Sequence, residues 1–168
     1  MNYHNITKDD MLNGDGLRVV LWVSGCSHHC KECQNPITWN PDDGLIFDEA
    51  AKQEIFNELE KDYIRGITFS GGDPLHPNNR NDVARLLLEI VFKYPHKDIW
   101  MYTGYTFEEI VQDDFLKYVV LGLVDVLVDG KFEKEKADLN YHWAGSTNQR
   151  VIDIEKTIEK GEIVLHEN

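Results

Sequence analysis

The stretch Arg18-Val19-Val20-Leu21-Trp22-Val23-Ser24-Gly25-Cys26 decides how this chain is read. A run rich in β-branched and large apolar residues reads as a buried strand, and Ser24-Gly25 ends it. The loop that follows carries Cys26, Cys30 and Cys33, the only cysteines in the sequence. An odd number of cysteines so close together does not make a disulfide framework, which uses even counts spread along the chain to close loops. A reducing compartment fits, and the thiols read as a metal site, a Cys30/Cys33 redox pair or a coincidence.

Outward from that strand, helices and strands alternate. Asp48 to Tyr63 places Ala51, Ile55, Phe56 and Leu59 at helical spacing, with Asp48 as N-cap. Gly66 to Ser70 reads as a second strand, broken by Gly71-Gly72-Asp73-Pro74. From Asn81 to Tyr94, Val83, Leu86, Leu87, Ile90 and Val91 repeat at three and four, and Pro95 halts that helix. Asp98 to Tyr102 is a third strand, Thr106 caps a third helix, Val124 to Val128 is a fourth strand and Val151 to Ile154 a fifth. The charged segment Lys131 to Asn140 reads as a solvated loop or fraying helix. This order points to βαβ units in an α/β protein with a mainly parallel sheet.

In such sheets chemistry gathers where loops leave the carboxyl ends of the strands. Four marked segments stand there: the cysteine loop, Gly71 to Pro74, Thr103-Gly104-Tyr105 and Asp129-Gly130-Lys131. They are expected to form one site.

The chain has 168 residues, 42% hydrophobic and 28% charged, which suits one domain spanning 1–168. A net charge of −13 repels phosphate backbones and anionic lipid, so neither nucleic acid nor membrane is expected as a partner. No apolar run is long enough to span a bilayer, and Met1-Asn2-Tyr3-His4-Asn5 lacks the order of a secretory signal, so a cytoplasmic location is expected.

Three thiolates spaced C-x3-C-x2-C can ligate three irons of a cubane iron–sulfur cluster and leave the fourth open. A structural zinc site completed by His28 or His29 also fits soft-ligand chemistry. His28 and His29 are otherwise read as exposed loop residues, and Trp22 and Trp39 as core or interface anchors. Gly71 and Gly72 make either a tight turn or a place where backbone groups approach an ammonium or carboxylate closely.

These residues resemble a known family. The cysteine loop is similar to the signature of radical S-adenosylmethionine enzymes, and Gly71-Gly72-Asp73-Pro74 to their methionine-amine motif. Further stretches resemble the glycyl-radical activases of the anaerobic (class III) ribonucleoside-triphosphate reductase: Asn13-Gly14-Asp15-Gly16 with Arg18, Cys33-Gln34-Asn35 with Thr38-Trp39, Thr103-Gly104-Tyr105, Val126 to Phe132, and Gly145-Ser146-Thr147-Asn148-Gln149-Arg150. They run in order over residues 1 to about 150. Asp15 stands where these activases usually have proline, and Glu32 where many radical S-adenosylmethionine enzymes carry an aromatic residue.

The resemblance implies an open, incomplete (β/α)6-type radical S-adenosylmethionine barrel of about six mostly parallel strands; a full barrel needs about 250 residues. It implies a [4Fe-4S] cluster on Cys26, Cys30 and Cys33 with S-adenosylmethionine at the open iron. Contacts to the cosubstrate are expected from Glu32, Cys33, Gln34, Gly71, Gly72, Asp73, Thr103, Asp129 and Lys131, and no side chain is expected to act as acid or base. The implied protein substrate is the large subunit of the reductase, whose glycine loop would enter near Gly145 to Arg150, with reduced flavodoxin or a similar protein as electron donor. A short radical enzyme acting on a small molecule, similar to the 7-carboxy-7-deazaguanine synthases, and a zinc-bound interaction module are the rival readings.

Overall fold

In the computed structural model, which describes residues 1–30, 33 and 36–167, the strand at Arg18–Val23 lies inside one sheet. Among the described residues its strands are β1 (Asn2–Asp10), β2 (Arg18–Val23), β3 (Leu45–Ile46), β4 (Gly66–Gly71), β5 (Asp98–Tyr102), β6 (Val126–Asp129) and β7 (Arg150–Asp153). Their order across the sheet is β3-β1-β2-β4-β5-β6-β7. The four central strands run parallel, from β2 through β4 and β5 to β6, while β1, β3 and β7 pair antiparallel at the two sides. The sheet does not close, since β3 and β7 have no ladder to one another. The α-helices are α1 (Glu49–Leu59), α2 (Arg80–Lys93), α3 (Phe107–Val111), α4 (Asp114–Leu123) and α5 (Ile154–Lys160). None of these is long and apolar enough to cross a membrane.

Successive side chains of a strand point to opposite faces, and here the two faces differ. Val19, Leu21 and Val23 of β2, Ile67 and Phe69 of β4, Ile99 and Met101 of β5 and Leu127 of β6 face the helices. They pack with Ile55 and Leu59 of α1, Leu87 and Ile90 of α2 and Val119 and Val120 of α4. Each such side chain fully buried contributes roughly 1.5–3 kcal/mol. The alternate residues build a second, smaller cluster of Trp100, Val126, Val128 and Val151, covered by Trp143 and Ala144 rather than by a helix.

Local chemistry sets the helix starts. Asp48 caps α1 by accepting from Ala51 N at 2.9 Å, and Thr106 forms a capping box with Glu109 on α3. Asp113 then starts α4 by accepting from the amides of Phe115 and Leu116.

Three features depart from the sequence reading. Strand β1 is polar along most of its length, with only Ile6 buried, so it shows no alternation of apolar residues. Strand β7 runs antiparallel to β6, because the connection between them holds only a short 3-10 turn at Lys134–Lys136 and no crossover helix. The C-terminal residues, which lie beyond the stretches that carry the resemblance, are tied down: Leu165 bridges Ile152, and His166 donates its amide to Val151 O at 2.8 Å. Its ring reaches Asp15 Oδ2 at 2.7 Å and stands edge-on to Trp100.

A fully buried arginine fills the foot of the helix-free face. Arg18 Nε donates to Thr68 Oγ1 at 2.9 Å, Nη1 to Asp15 O at 2.9 Å and Nη2 to Ile67 O at 2.9 Å. Nη1 also pairs with Asp98 Oδ1 at 2.6 Å, and the guanidinium lies over the Trp100 ring. Burial pushes the Arg18 pKa down, and Asp98 opposes that shift. A buried charge stripped of its partners is costly, and so are partners stripped of the charge. Arg18→Met should therefore lower the unfolding free energy by on the order of 3 kcal/mol, read as a lower urea midpoint with an unchanged slope.

Candidate functional site

The parallel arrangement of β2, β4, β5 and β6 delivers the four expected loops to the same edge. Cys26, Cys30 and Cys33 line a cavity of about 120 Å³ together with Gly71, Gly72 and Thr103, and Gly104 and Lys131 complete its wall. The loops are stitched together by backbone bonds. Gly25 N and Cys26 N donate to Thr38 O and Trp39 O, Gly72 N donates to Val23 O, and Asp73 N donates to Gly25 O at 2.7 Å. Buried Asn79 joins them through its side-chain amide, which donates to Ser24 O and Asp73 O.

Gly71 adopts φ +102°, a conformation that favours glycine. At Gly72 a Cβ would stand 2.4 Å from Gly25 O and 2.8 Å from Thr38 O, so the glycine is what lets the three backbones meet.

The carboxylate of Asp73, 1% exposed, holds the arrangement. It accepts from Leu75 N at 2.9 Å, Thr103 Oγ1 at 2.8 Å, Gly104 N at 3.0 Å and His28 Nε2 at 2.7 Å. Since Tyr105 N donates to Thr103 Oγ1, the threonine hydroxyl is left to donate to Asp73. This overturns the reading of His28 as an exposed loop residue: its side chain is 7% exposed because a buried carboxylate claims it. His29 is exposed as expected, and its ring stacks on Trp39.

The donor set fits an iron–sulfur cluster. Burial pushes the Cys26 thiol up to about 11 and raises Cys30, and a cysteine gives up its proton when it binds a metal. His28 Nε2 is engaged by Asp73, so a zinc site completed through that nitrogen, as weighed above, would have to break the pair. Among the described residues no three His, Cys, Asp or Glu side chains converge on a point that would hold one metal ion. Three ligands of a cubane bind three separate irons and need no such convergence.

The structure brings most of the expected cosubstrate residues together. Cys33, Gly71, Gly72, Thr103 and Lys131 line the cysteine cavity, with Asp73 directly beneath. Asp129 lies off it, lining a neighbouring hollow with Arg150 and Glu109. Its carboxylate accepts from Phe107 N at 2.7 Å and from Arg150 Nη2 at 2.6 Å, clamping the starts of α3 and β7. Those hydrogen bonds also raise the Arg150 pKa above its ordinary value, with Glu108 adding to the effect. Glu32 and Gln34 lie outside the described residues.

Sequence reasoning missed Tyr102, and it quoted Phe132 and Gln149 only as parts of resembling stretches without giving either a place in the cysteine cavity. These three line the cysteine cavity and also a larger one of about 360 Å³, walled by Leu12, Trp22, Tyr141 and Trp143. Gly145 lines the larger cavity as well. Gln149 Oε1 accepts from the amides of Gly145 and Ser146, and its Nε2 donates to Gly130 O, so one side chain folds the Gly145–Arg150 segment onto the end of β6. The pattern Gly-Ser-x-Asn-Gln was the available signal.

Residues 12–152 match the model of a 4Fe-4S single cluster domain. An anaerobic ribonucleoside-triphosphate reductase-activating protein of Enterobacteria phage T4 is 46% identical over 151 residues, covering 90% of this chain and 93% of the relative. Proteins of the same name from Haemophilus influenzae and Escherichia coli are 42% and 43% identical over 89% and 90% of this chain, and 96% and 97% of their own. The chain belongs to the family of anaerobic ribonucleoside-triphosphate reductase-activating proteins. Family membership makes it an activating enzyme with an iron–sulfur domain rather than a passive interaction module. The matched region runs from the Asn13 turn to β7 and so contains every loop of the site.

Gly72→Ala tests the close meeting of backbones. It should cost on the order of 2 kcal/mol through overpacking, read by chemical denaturation of the metal-free protein, because the neighbours, Gly25 and Thr38, present backbone carbonyls that cannot swing away.

Proposed function

We propose that this protein activates the large subunit of an anaerobic ribonucleoside-triphosphate reductase, with Cys26, Cys30 and Cys33 holding a [4Fe-4S] cluster. The observation that carries the reading is a set of three half-buried cysteines beside a double-glycine loop, with the neighbouring imidazole of His28 engaged by Asp73. The names of the relatives support the target, and the matched domain supports the cluster.

With the cluster bound, the chemistry available is one-electron cleavage of S-adenosylmethionine to methionine and a 5′-deoxyadenosyl radical, which takes a hydrogen atom from a glycine of the reductase. The protein's own part is binding, orientation and exclusion. Gly71 and Gly72 expose backbone groups to the methionine end, Thr103 and Asp73 fix that loop, and Lys131 stands at the rim. Backbone groups of Glu32, Cys33 and Gln34 serve the adenosine side. Asp129 acts from behind, by holding the strand ends. No acid or base is required of any side chain.

The sheet supports a barrel-type reading, an incomplete (β/α)6-type radical S-adenosylmethionine barrel formed by a single domain. Parallel sheets of the doubly wound kind carry helices on both faces. Here helices cover one face, and the other bounds the larger cavity. An open side suits a substrate that is a peptide loop of another protein. Reduced flavodoxin or a similar donor in the cytoplasm completes the reading, with neither nucleic acid nor membrane involved.

Anaerobic isolation tests it directly. The protein should be brown, hold about four irons and four sulfides, and release 5′-deoxyadenosine when reductant and S-adenosylmethionine are added. Cys26→Ala, Cys30→Ala or Cys33→Ala should each abolish that release. A glycyl radical should appear by electron paramagnetic resonance only when the reductase subunit is present. A colourless protein with one zinc per chain would refute the proposal.

A further inference from the structure

We infer that His28 is a positioning residue that ties the cysteine loop to the Gly71–Asp73 loop, so that one hydrogen bond, His28 Nε2–H to Asp73 Oδ2, couples the seating of the cosubstrate to the placement of the cluster's ligands. The inference rests on the reading under Proposed function and names a residue which that reading leaves without a role.

Three contacts converge on His28. The residue stands two positions after Cys26 and two before Cys30, so its main chain belongs to the cysteine loop. Its side chain lines the cysteine cavity and reaches Asp73 Oδ2 at 2.7 Å, with the ring edge-on to Tyr105 at 4.7 Å. Gly104 makes room for it: a Cβ there would come within 2.4 Å of the imidazole. The remaining donors to Asp73 that are placed come from residues 75, 103 and 104, all on the β4 and β5 loops. His28 is the side chain by which the segment between Cys26 and Cys30 joins that network.

A carboxylate is acceptor-only, so His28 must present Nε2 as a donor. Partners that orient ligands from behind commonly matter 10–100-fold for affinity or activity. Movement of the Gly71–Asp73 loop around a bound methionine end is passed through Asp73 to the loop carrying Cys26 and Cys30. The converse holds as well, since coupling between two sites is reciprocal.

The test uses two variants of the whole chain. His28→Phe keeps a planar ring and loses the donor, while His28→Gln keeps an N–H at similar reach. Iron and sulfide content should match the parent in both. Titration of the reduced, cluster-loaded protein with S-adenosylmethionine, followed by electron paramagnetic resonance, should show affinity on the order of tenfold weaker in His28→Phe and parental affinity in His28→Gln. Amide exchange in the metal-free protein should quicken over residues 26–30 in the Phe variant and stay parental in the Gln variant.

Equal affinity in His28→Phe and the parent overturns the coupling, as does equal impairment of both variants, because His28→Gln retains the donor on which the coupling rests. Loss of iron from His28→Phe alone also overturns it, by making His28 a support for the cluster only. If the parent protein itself shows no spectral response to S-adenosylmethionine, the reading under Proposed function fails, and the exchange data then decide by themselves whether His28 ties the loops.

Discussion

A carboxylate at 1% exposure is the constraint on which the site depends. Burying such a group is tolerable only when its oxygens are fully engaged. Asp73 is engaged by a backbone amide of its own turn, a hydroxyl and an amide from the β5 loop, and an imidazole from the cysteine loop. Loops alone have weak conformational preferences, and each of these segments taken singly would pass for ordinary turn chemistry. The desolvation cost of Asp73 converts three weakly determined loops into one determined arrangement. The cysteines are thus placed by a residue that carries no sulfur and lies forty or more positions downstream of them.

The two faces of the sheet divide the remaining work. The helix-covered face contributes most of the apolar burial, in a continuous core running from Ala51 of α1 to Ile154 of α5. The other face gives up some of that burial: Arg18 and Thr68 sit where aliphatic residues would otherwise pack, and only a small cluster around Trp100 remains. The nitrogens of Arg18 and the hydroxyl of Thr68 are bonded, which is the condition for their burial being tolerable. The His166–Asp15 pair closes the foot of this face from the tail, and it gives a structural use to the aspartate that replaces the proline usual in the resembling activases. The top of the same face is left to the cavities. Exposed sheet edges are managed by shortness at β3, two residues long, and by the Leu165 bridge against β7.

Where burial and local pairing agree, the sequence was legible. Strand Asp98–Tyr102 is found where its apolar run placed it, and the Asp48 and Thr106 caps stand as read. Strand β1 was not legible, because a strand with one buried side chain carries no period to detect. The direction of β7 was hidden in what its connection lacks rather than in its own residues. His28 was misread for a related reason: its burial is decided by a partner forty-five positions away, and no local pattern announces that. Asp129 and Thr103 look alike as polar residues ending parallel strands. Only the structure separates the one that lines the cysteine cavity from the one held behind it by Arg150.

The larger cavity carries stored free energy at its rim. Trp143 has φ +72°, a left-handed conformation that costs a non-glycine residue about 1–2 kcal/mol. Its indole N–H and the Tyr102 hydroxyl are both buried without a hydrogen-bond partner among the described residues, and each such group costs roughly 1–3 kcal/mol. These penalties fall on the wall of a cavity that joins the cysteine site through Cys33, Ser70 and Gln149. Both donors are shut away from the cavity surface as it stands, so a guest bonds them only where the wall around Trp143 shifts; a peptide backbone, with a carbonyl at every residue, would offset that shift where an apolar guest would not.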